Sequence, residues 1–154
     1  MNAQAGHEPA GVVRGIAYRP HRREAMTEVA EATLVERRGL ASEDRAPGKR
    51  EVTLLSAQAW RDACAELGVG LPWHTRRANI LIEGLDLPAT IGLSLQIGDA
   101  RVLIHDESRP CALMDELHPG LRQTLNQHGR GGVAGQVLQG GTVRVGDHVN
   151  VCGT

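Results

Sequence analysis

Leu95-Gln96-Ile97-Gly98-Asp99 and Val143-Arg144-Val145-Gly146-Asp147 are the two stretches on which the fold turns. Each alternates apolar and polar residues, reaches a Gly-Asp pair, and then runs into a second extended segment, Ala100–Ile104 in one case and His148–Val151 in the other. A period of two is the mark of a strand with one buried face, and Gly-Asp suits a tight turn. Working outward, the same reading finds strands at Val12–Tyr18 (closed by Arg19-Pro20), Glu51–Leu55, Ile80–Ile82 and Leu93–Ile97, and in part of Met26–Leu40. Val133–Leu138, a Gly140-Gly141 turn and Val143–Val151 read as a last hairpin. Short alternating strands joined by Gly-rich turns predict a mainly β fold, a closed or nearly closed barrel with short helices inserted, rather than a βαβ array.

Three helices interrupt the strands. Ser56 is placed to cap Ala57–Leu67, which Gly68 stops; Ala59, Trp60, Ala63, Cys64 and Leu67 share its apolar face, so Cys64 reads as core. Leu113, Met114 and Leu117 mark a short second helix. Pro119 opens a third with Leu121 and Leu125 inward and Gly129 as its stop. Gly39–Lys49 and Gly84–Gly92 read as loops. The expected layout is one domain, with residues 1–10 a flexible tail and 11–152 the barrel.

The 154 residues contain no phenylalanine and only Trp60, Trp73 and Tyr18 as aromatics, so the core must be aliphatic and the composition argues against base stacking as an activity. A formal net charge of -1 removes the bulk electrostatic case for nucleic acid. Cys64, Cys111 and Cys152 are odd in number and lack Cys-x-x-Cys spacing, which points away from a disulfide framework and toward a reducing, cytoplasmic compartment. No signal sequence and no membrane-spanning run is expected.

Chemistry concentrates at His105-Asp106-Glu107-Ser108-Arg109-Pro110-Cys111. Cys111 lies between a strand and a helix start, close to His105 and Arg109, and such electropositive surroundings favour a thiolate. It reads either as a reactive thiolate or metal ligand, or as a small buried apolar residue. Arg76-Arg77-Ala78-Asn79, entering a strand, suits a phosphate, molybdate or carboxylate, and equally a surface ion pair. If the two arginines straddle the strand they face opposite ways, and at most one lines a given pocket. Arg130-Gly131-Gly132 is either an anion nest or a plain helix stop. Asp44-Arg45 sits in the long polar loop. His74, His105, His118 and His128 are scattered without metal-site spacing, and no Gly-x-Ser-x-Gly elbow or phosphate-binding Gly-Lys-Ser/Thr loop occurs. A Cys–His hydrolase built on Cys111 with His105 or His118 has no further support.

Taken in order, these segments resemble the MOSC domain, the family named after the C-terminal part of molybdenum cofactor sulfurases. The resemblance rests on Asp44-Arg45 with Lys49–Leu55, on Arg76-Arg77-Ala78-Asn79-Ile80 with Gly84-Leu85-Asp86-Leu87, on Pro110-Cys111, and on Arg130-Gly131-Gly132 through Val149. It runs from about Val12 to Val151. The glycine usual before the family's aspartate is absent here, where Ala41-Ser42-Glu43 precedes Asp44.

The resemblance implies a β-rich barrel that handles sulfur or the molybdenum cofactor. Cys111 would be a persulfide sulfur carrier or a molybdenum ligand, while Arg76, Arg77, Asn79 and Arg130, with Asp44, Arg45 and His105 at the same site, would hold the cofactor. The 154 residues hold neither a pyridoxal-phosphate desulfurase domain nor a preceding second barrel, so a cysteine desulfurase or an electron-donor protein is the expected partner. Two alternatives stand beside this. One is a non-catalytic module binding an oxyanion or phosphorylated ligand, with Cys111 structural. The other is a reductase of N-hydroxylated compounds that needs bound cofactor and an external electron donor.

Overall fold

The computed structural model describes residues 10–21, 24–43 and 47–153. Seven strands close into a barrel: β1 (Gly11–Tyr18), β5 (Val52–Ser56), β6 (Ile80–Glu83), β7 (Ser94–Ile97), β8 (Ala100–Glu107), β9 (Val133–Gln139) and β11 (His148–Gly153). Around the ring the order is β1-β6-β5-β9-β8-β7-β11, and β11 returns to β1 through the Gly11–Val149 and Val12–His148 pairs. Every pairing is antiparallel except β5 with β6. A parallel pair needs a crossover, and the chain supplies one in α1 (Ala57–Leu67) and the turn after it. β2 (Thr27–Val29) extends the sheet beside β1, and β3 (Glu31–Val35), β4 (Gly39–Leu40) and β10 (Gly141–Arg144) form a small second sheet.

The alternation behind the strand assignments is the alternation of burial. In β8, Ala100, Val102 and Ile104 are sealed inside the barrel while Arg101 is exposed. Ile16, Leu54, Ile82, Leu95 and Val137 fill the rest of the interior, so the core is aliphatic as composition requires. A second apolar layer lies outside, where α1, α2 (Ala112–Leu117) and α3 (Leu121–Leu125) cover the barrel wall through Leu55, Trp60, Met114, Leu121 and Leu125. Cys64 belongs to this layer and is buried.

The two Gly-Asp stretches meet in space. Gly98 and Gly146 both adopt positive φ (54° and 97°), the conformation glycine reaches without strain. The Asp99 N–H donates to the Thr142 carbonyl at 3.1 Å, and the Gly98 N–H to the His148 carbonyl at 3.3 Å. Between those turns the structure departs from expectation. β9 and β10 do not form a hairpin, because the chain passes straight through Gly140-Gly141 from the barrel into the small sheet, where β10 pairs with β3. The reason is crowding: a Cβ on Gly141 would stand 2.5 Å from the Asp99 carbonyl oxygen, and one on Gly140 2.8 Å from that of Leu34. The glycines permit a close crossing and make no turn. In the 84–92 loop, Leu87–Thr90 forms a single 3-10 turn.

Ser56 caps α1 as expected, its Oγ accepting from the Ala59 N–H at 3.2 Å, and Gly68 closes the helix at φ 70°. Ser56→Ala should therefore lower stability by about 1 kcal/mol, seen as a reduced urea midpoint with an unchanged slope. Among the described residues no helix is long and apolar enough to cross a membrane.

Candidate functional site

Five separated segments converge on one cavity of about 370 Å³. Arg19 follows β1, Arg50 leads into β5, and Arg76 and Arg77 precede β6. Ser108 and Cys111 follow β8, and Gly131 precedes β9. Ala78, Leu113 and Met114 complete an apolar side. Cys111 occupies the position before α2, in extended conformation (φ -117°, ψ -178°), and is exposed. Of the described residues that line the cavity, four are arginines and none is an aspartate or glutamate.

Arg76 organises this wall. It lies in the 3-10 turn Trp73–Arg76 and is only 8% exposed. Its Nε donates to the Gly131 carbonyl at 2.9 Å, and its Nη2 to Ser108 at the carbonyl (2.9 Å) and the hydroxyl (3.3 Å). One guanidinium thus fixes the segment before β9 and the segment that carries Cys111, and the Ser108 N–H to Gly132 carbonyl bond at 2.8 Å joins those two directly. Arg50 Nη2 reaches the same Ser108 hydroxyl at 3.1 Å. Burial pushes the Arg76 pKa down to about 10, against an attraction from Cys111 and with a smaller downward push from Arg50. The group stays charged at neutral pH. Arg77 is also shifted down, by partial burial first and by Arg19 second.

The clustering of like charges has a cost that the attraction of Cys111 for Arg76 and of Glu43 for Arg77 offsets only in part. Among the described residues no carboxylate lies within ion-pairing distance of the Arg76 guanidinium. A buried cation with no ion-paired carboxylate is expensive to keep, and such an arrangement can accept an anion.

A family model for the MOSC domain matches residues 30–150. The chain belongs to the MOSC domain family. Solved structures share this MOSC fold at low identity. The YuaD protein from Bacillus subtilis superposes with a TM-score of 0.78 at 17% identity, covering 92% of this chain and 96% of that one. YiiM from Geobacillus stearothermophilus gives a TM-score of 0.70 at 16% identity, with 94% of this chain and 74% of that one covered. YiiM from Escherichia coli gives 0.70 at 16%, with 93% and 70% covered. No curated protein matches the sequence.

Within this MOSC barrel the residues singled out from sequence separate into groups. Arg76, Arg77 and Cys111 share the cavity. Both arginines line it, against the expectation that at most one would, because they sit in a tight turn instead of a strand; Arg77 takes φ 67°, which swings successive side chains off a strand's alternation. Asn79 lies behind the cavity wall and is fully buried: its Oδ1 accepts from the Thr53 N–H and hydroxyl, and its Nδ2 donates to the Ala17 carbonyl and to Glu43. It holds up the wall and is not among the residues lining the cavity.

Arg130 lines a different, larger cavity of about 590 Å³ between α1, the 83–88 turn and the 128–132 segment, where it pairs with Glu66. Charges there are matched in the same way, since Arg14 and Arg61 both bind Glu83, at 2.9 and 3.0 Å, and hold its carboxyl below the usual range. His105, on β8, is not among the residues lining either cavity, and its Nε2 is sealed off without a hydrogen-bond partner. Asp44 and Arg45 lie outside the described residues. Arg19, Arg50 and Ser108 were not singled out from sequence. A basic residue at the last or first step of a strand was the available signal, and it is common on ordinary surfaces.

Proposed function

We propose that this MOSC protein handles sulfur, with Cys111 as a persulfide carrier. The observation that carries the reading is an exposed thiol opening onto a cavity lined by four guanidinium groups and, among the described lining residues, no carboxylate. A thiolate is nucleophilic toward sulfane sulfur, and the guanidinium groups on the same cavity are suited to hold an anionic sulfur group. In loading from a cysteine desulfurase, Cys111 Sγ attacks the terminal sulfur of the partner's persulfide. The new S–S bond forms as the old one breaks, and the partner's cysteine leaves as thiolate. No oxidant is consumed.

The molybdenum cofactor also suits the donor set, and the family's association with it makes this the second reading. Cys111 would offer a soft thiolate ligand, and Arg76 with its neighbours would hold the cofactor's phosphate. When bound, the cofactor would supply a redox-active metal, and reduction of N-hydroxylated compounds would then call for an external electron donor. Among the described residues no set of three or more His, Cys, Asp and Glu side chains could hold a metal ion, so a bare ion is not the expected guest.

One experiment separates these readings. Wild type and Cys111→Ser are purified from a host that makes the cofactor, analysed for molybdenum, and treated with a cysteine desulfurase and cysteine. The expected result is one added sulfur on the Cys111 peptide by mass, absent from the serine variant. Molybdenum that disappears with the serine substitution would replace carriage by ligation. With neither signal, and with phosphate or sulfate still stabilising the fold, the protein would be a binding module with Cys111 structural.

A further inference from the structure

Carriage through Cys111 leaves open what delivers the sulfur, and the cavity itself bears on that question. We infer that the Cys111 cavity accepts sulfur directly from a small sulfane-sulfur oxyanion of the thiosulfate class, without requiring a protein donor. The inference rests on the carrier reading and goes past it by naming the donor.

Two independent features select this class. The first is charge. Arg19, Arg50, Arg76 and Arg77 meet on one cavity, and Arg76 is buried with no carboxylate in ion-pairing distance among the described residues. Its Nε and Nη2 are committed to Gly131 and Ser108, while its Nη1 has no partner among the described residues and is not sealed from solvent. A guest with two negative charges on one compact group meets that arrangement better than a neutral donor or a zwitterion such as cysteine. The second is the thiol, which opens on the same cavity and is exposed. A sulfonate held by the arginines places its attached sulfane sulfur beside the nucleophile, and the charge that develops in the reaction falls on that same sulfonate.

The step balances without a co-reactant. Cys111 Sγ, as thiolate, gives its electron pair to the outer sulfur of thiosulfate, and the S–S bond of thiosulfate breaks heterolytically. Its electron pair leaves with the SO3 group as sulfite, and Cys111 is left as a persulfide anion. Cyanide then removes the outer sulfur as thiocyanate and regenerates the thiolate.

Cys152 provides an internal reference, because it is also an exposed free cysteine but is not among the residues lining the cavity. The test incubates the whole protein with thiosulfate, follows sulfite release and thiocyanate formation with cyanide, and maps added sulfur by peptide mass. Inorganic polysulfide serves as a parallel donor. The expected result is sulfite release matched by one sulfur on Cys111 and none on Cys152. Arg77→Gln and Arg19→Gln should each slow thiosulfate loading at least about tenfold while loading by polysulfide changes little.

Loading by polysulfide but not by thiosulfate would overturn the inference and leave Cys111 a carrier. Loading by neither would remove both. Equal labelling of Cys111 and Cys152 by thiosulfate, or rates untouched by the arginine substitutions, would show that the cavity plays no part and would also overturn the inference.

Discussion

Asn79→Ala should cost about 3–5 kcal/mol, a large share of the stability of a domain this size. The side chain is fully buried and bridges four groups on three segments: the Thr53 N–H at 3.0 Å, the Thr53 hydroxyl at 3.2 Å, the Ala17 carbonyl at 3.2 Å and Glu43 at 3.1 Å. Alanine leaves the Thr53 amide and the Ala17 carbonyl without their side-chain partner in a region that water does not reach. It also withdraws a donor from Glu43, a buried carboxylate that accepts the Arg19 N–H at 2.7 Å. Each such loss is worth roughly 1–3 kcal/mol, and the three are coupled. Urea unfolding by circular dichroism checks the size. A fall below about 1 kcal/mol would mean that these contacts are replaced by water, contrary to the sealed geometry. Because Arg76 and Arg77 lie just before Asn79, the variant should also weaken anion-dependent stabilisation.

Gly132→Ala is expected to lose about 3 kcal/mol or more. Gly132 adopts φ 99°, and a Cβ there would overlap the carbonyl oxygen of Leu54, an atom of the β5 backbone that cannot turn aside as a side chain would. Strain and overlap can be told apart with Gly92→Ala. Gly92 has φ 90°, but a Cβ on it meets nothing within 4 Å, so that variant should lose only about 1–2 kcal/mol. The Gly132 change carries a second consequence, because its carbonyl accepts the Ser108 N–H and so tethers the segment leading to Cys111. Limited proteolysis between β8 and α2 should become faster in this variant and stay at the wild-type rate in Gly92→Ala. Equal losses in the two variants would sink the overlap argument.

The barrel was legible in the sequence wherever one buried face imposes a period of two. β8 shows this, while β5 was legible by its nearly continuous apolar run and α1 by Ser56, Gly68 and an apolar stripe. The passage of the chain from β9 into β10 was not legible, because Gly140 and Gly141 are read locally as a turn. Their actual reason is the nearness of backbone at Leu34 and Asp99, far away in the chain. The site divides along the same line. Cys111 stands out by its place between a strand and a helix, and Arg76-Arg77 by their adjacency.

That both arginines point into one cavity depends on the left-handed backbone of Arg77, a conformation arginine gives no hint of adopting. Arg19 and Arg50 join them only through the pairing of β1 with β6 and of β5 with its neighbours, so no local pattern marks them. Arg130, before Gly131-Gly132, read as part of an anion nest or as a helix stop; its pairing with Glu66 on α1 is a tertiary fact.

Ring closure by the first and last barrel strands has a consequence for how the protein comes into being. The Gly11–Val149 contact joins the first barrel strand to the last, so a chain emerging from the ribosome cannot complete its hydrogen-bonded circuit until β11 has been made. Until then β7 and the Gly11–Val12 end of β1 each present an edge able to recruit a stray strand, and the nascent chain is exposed to aggregation through that interval.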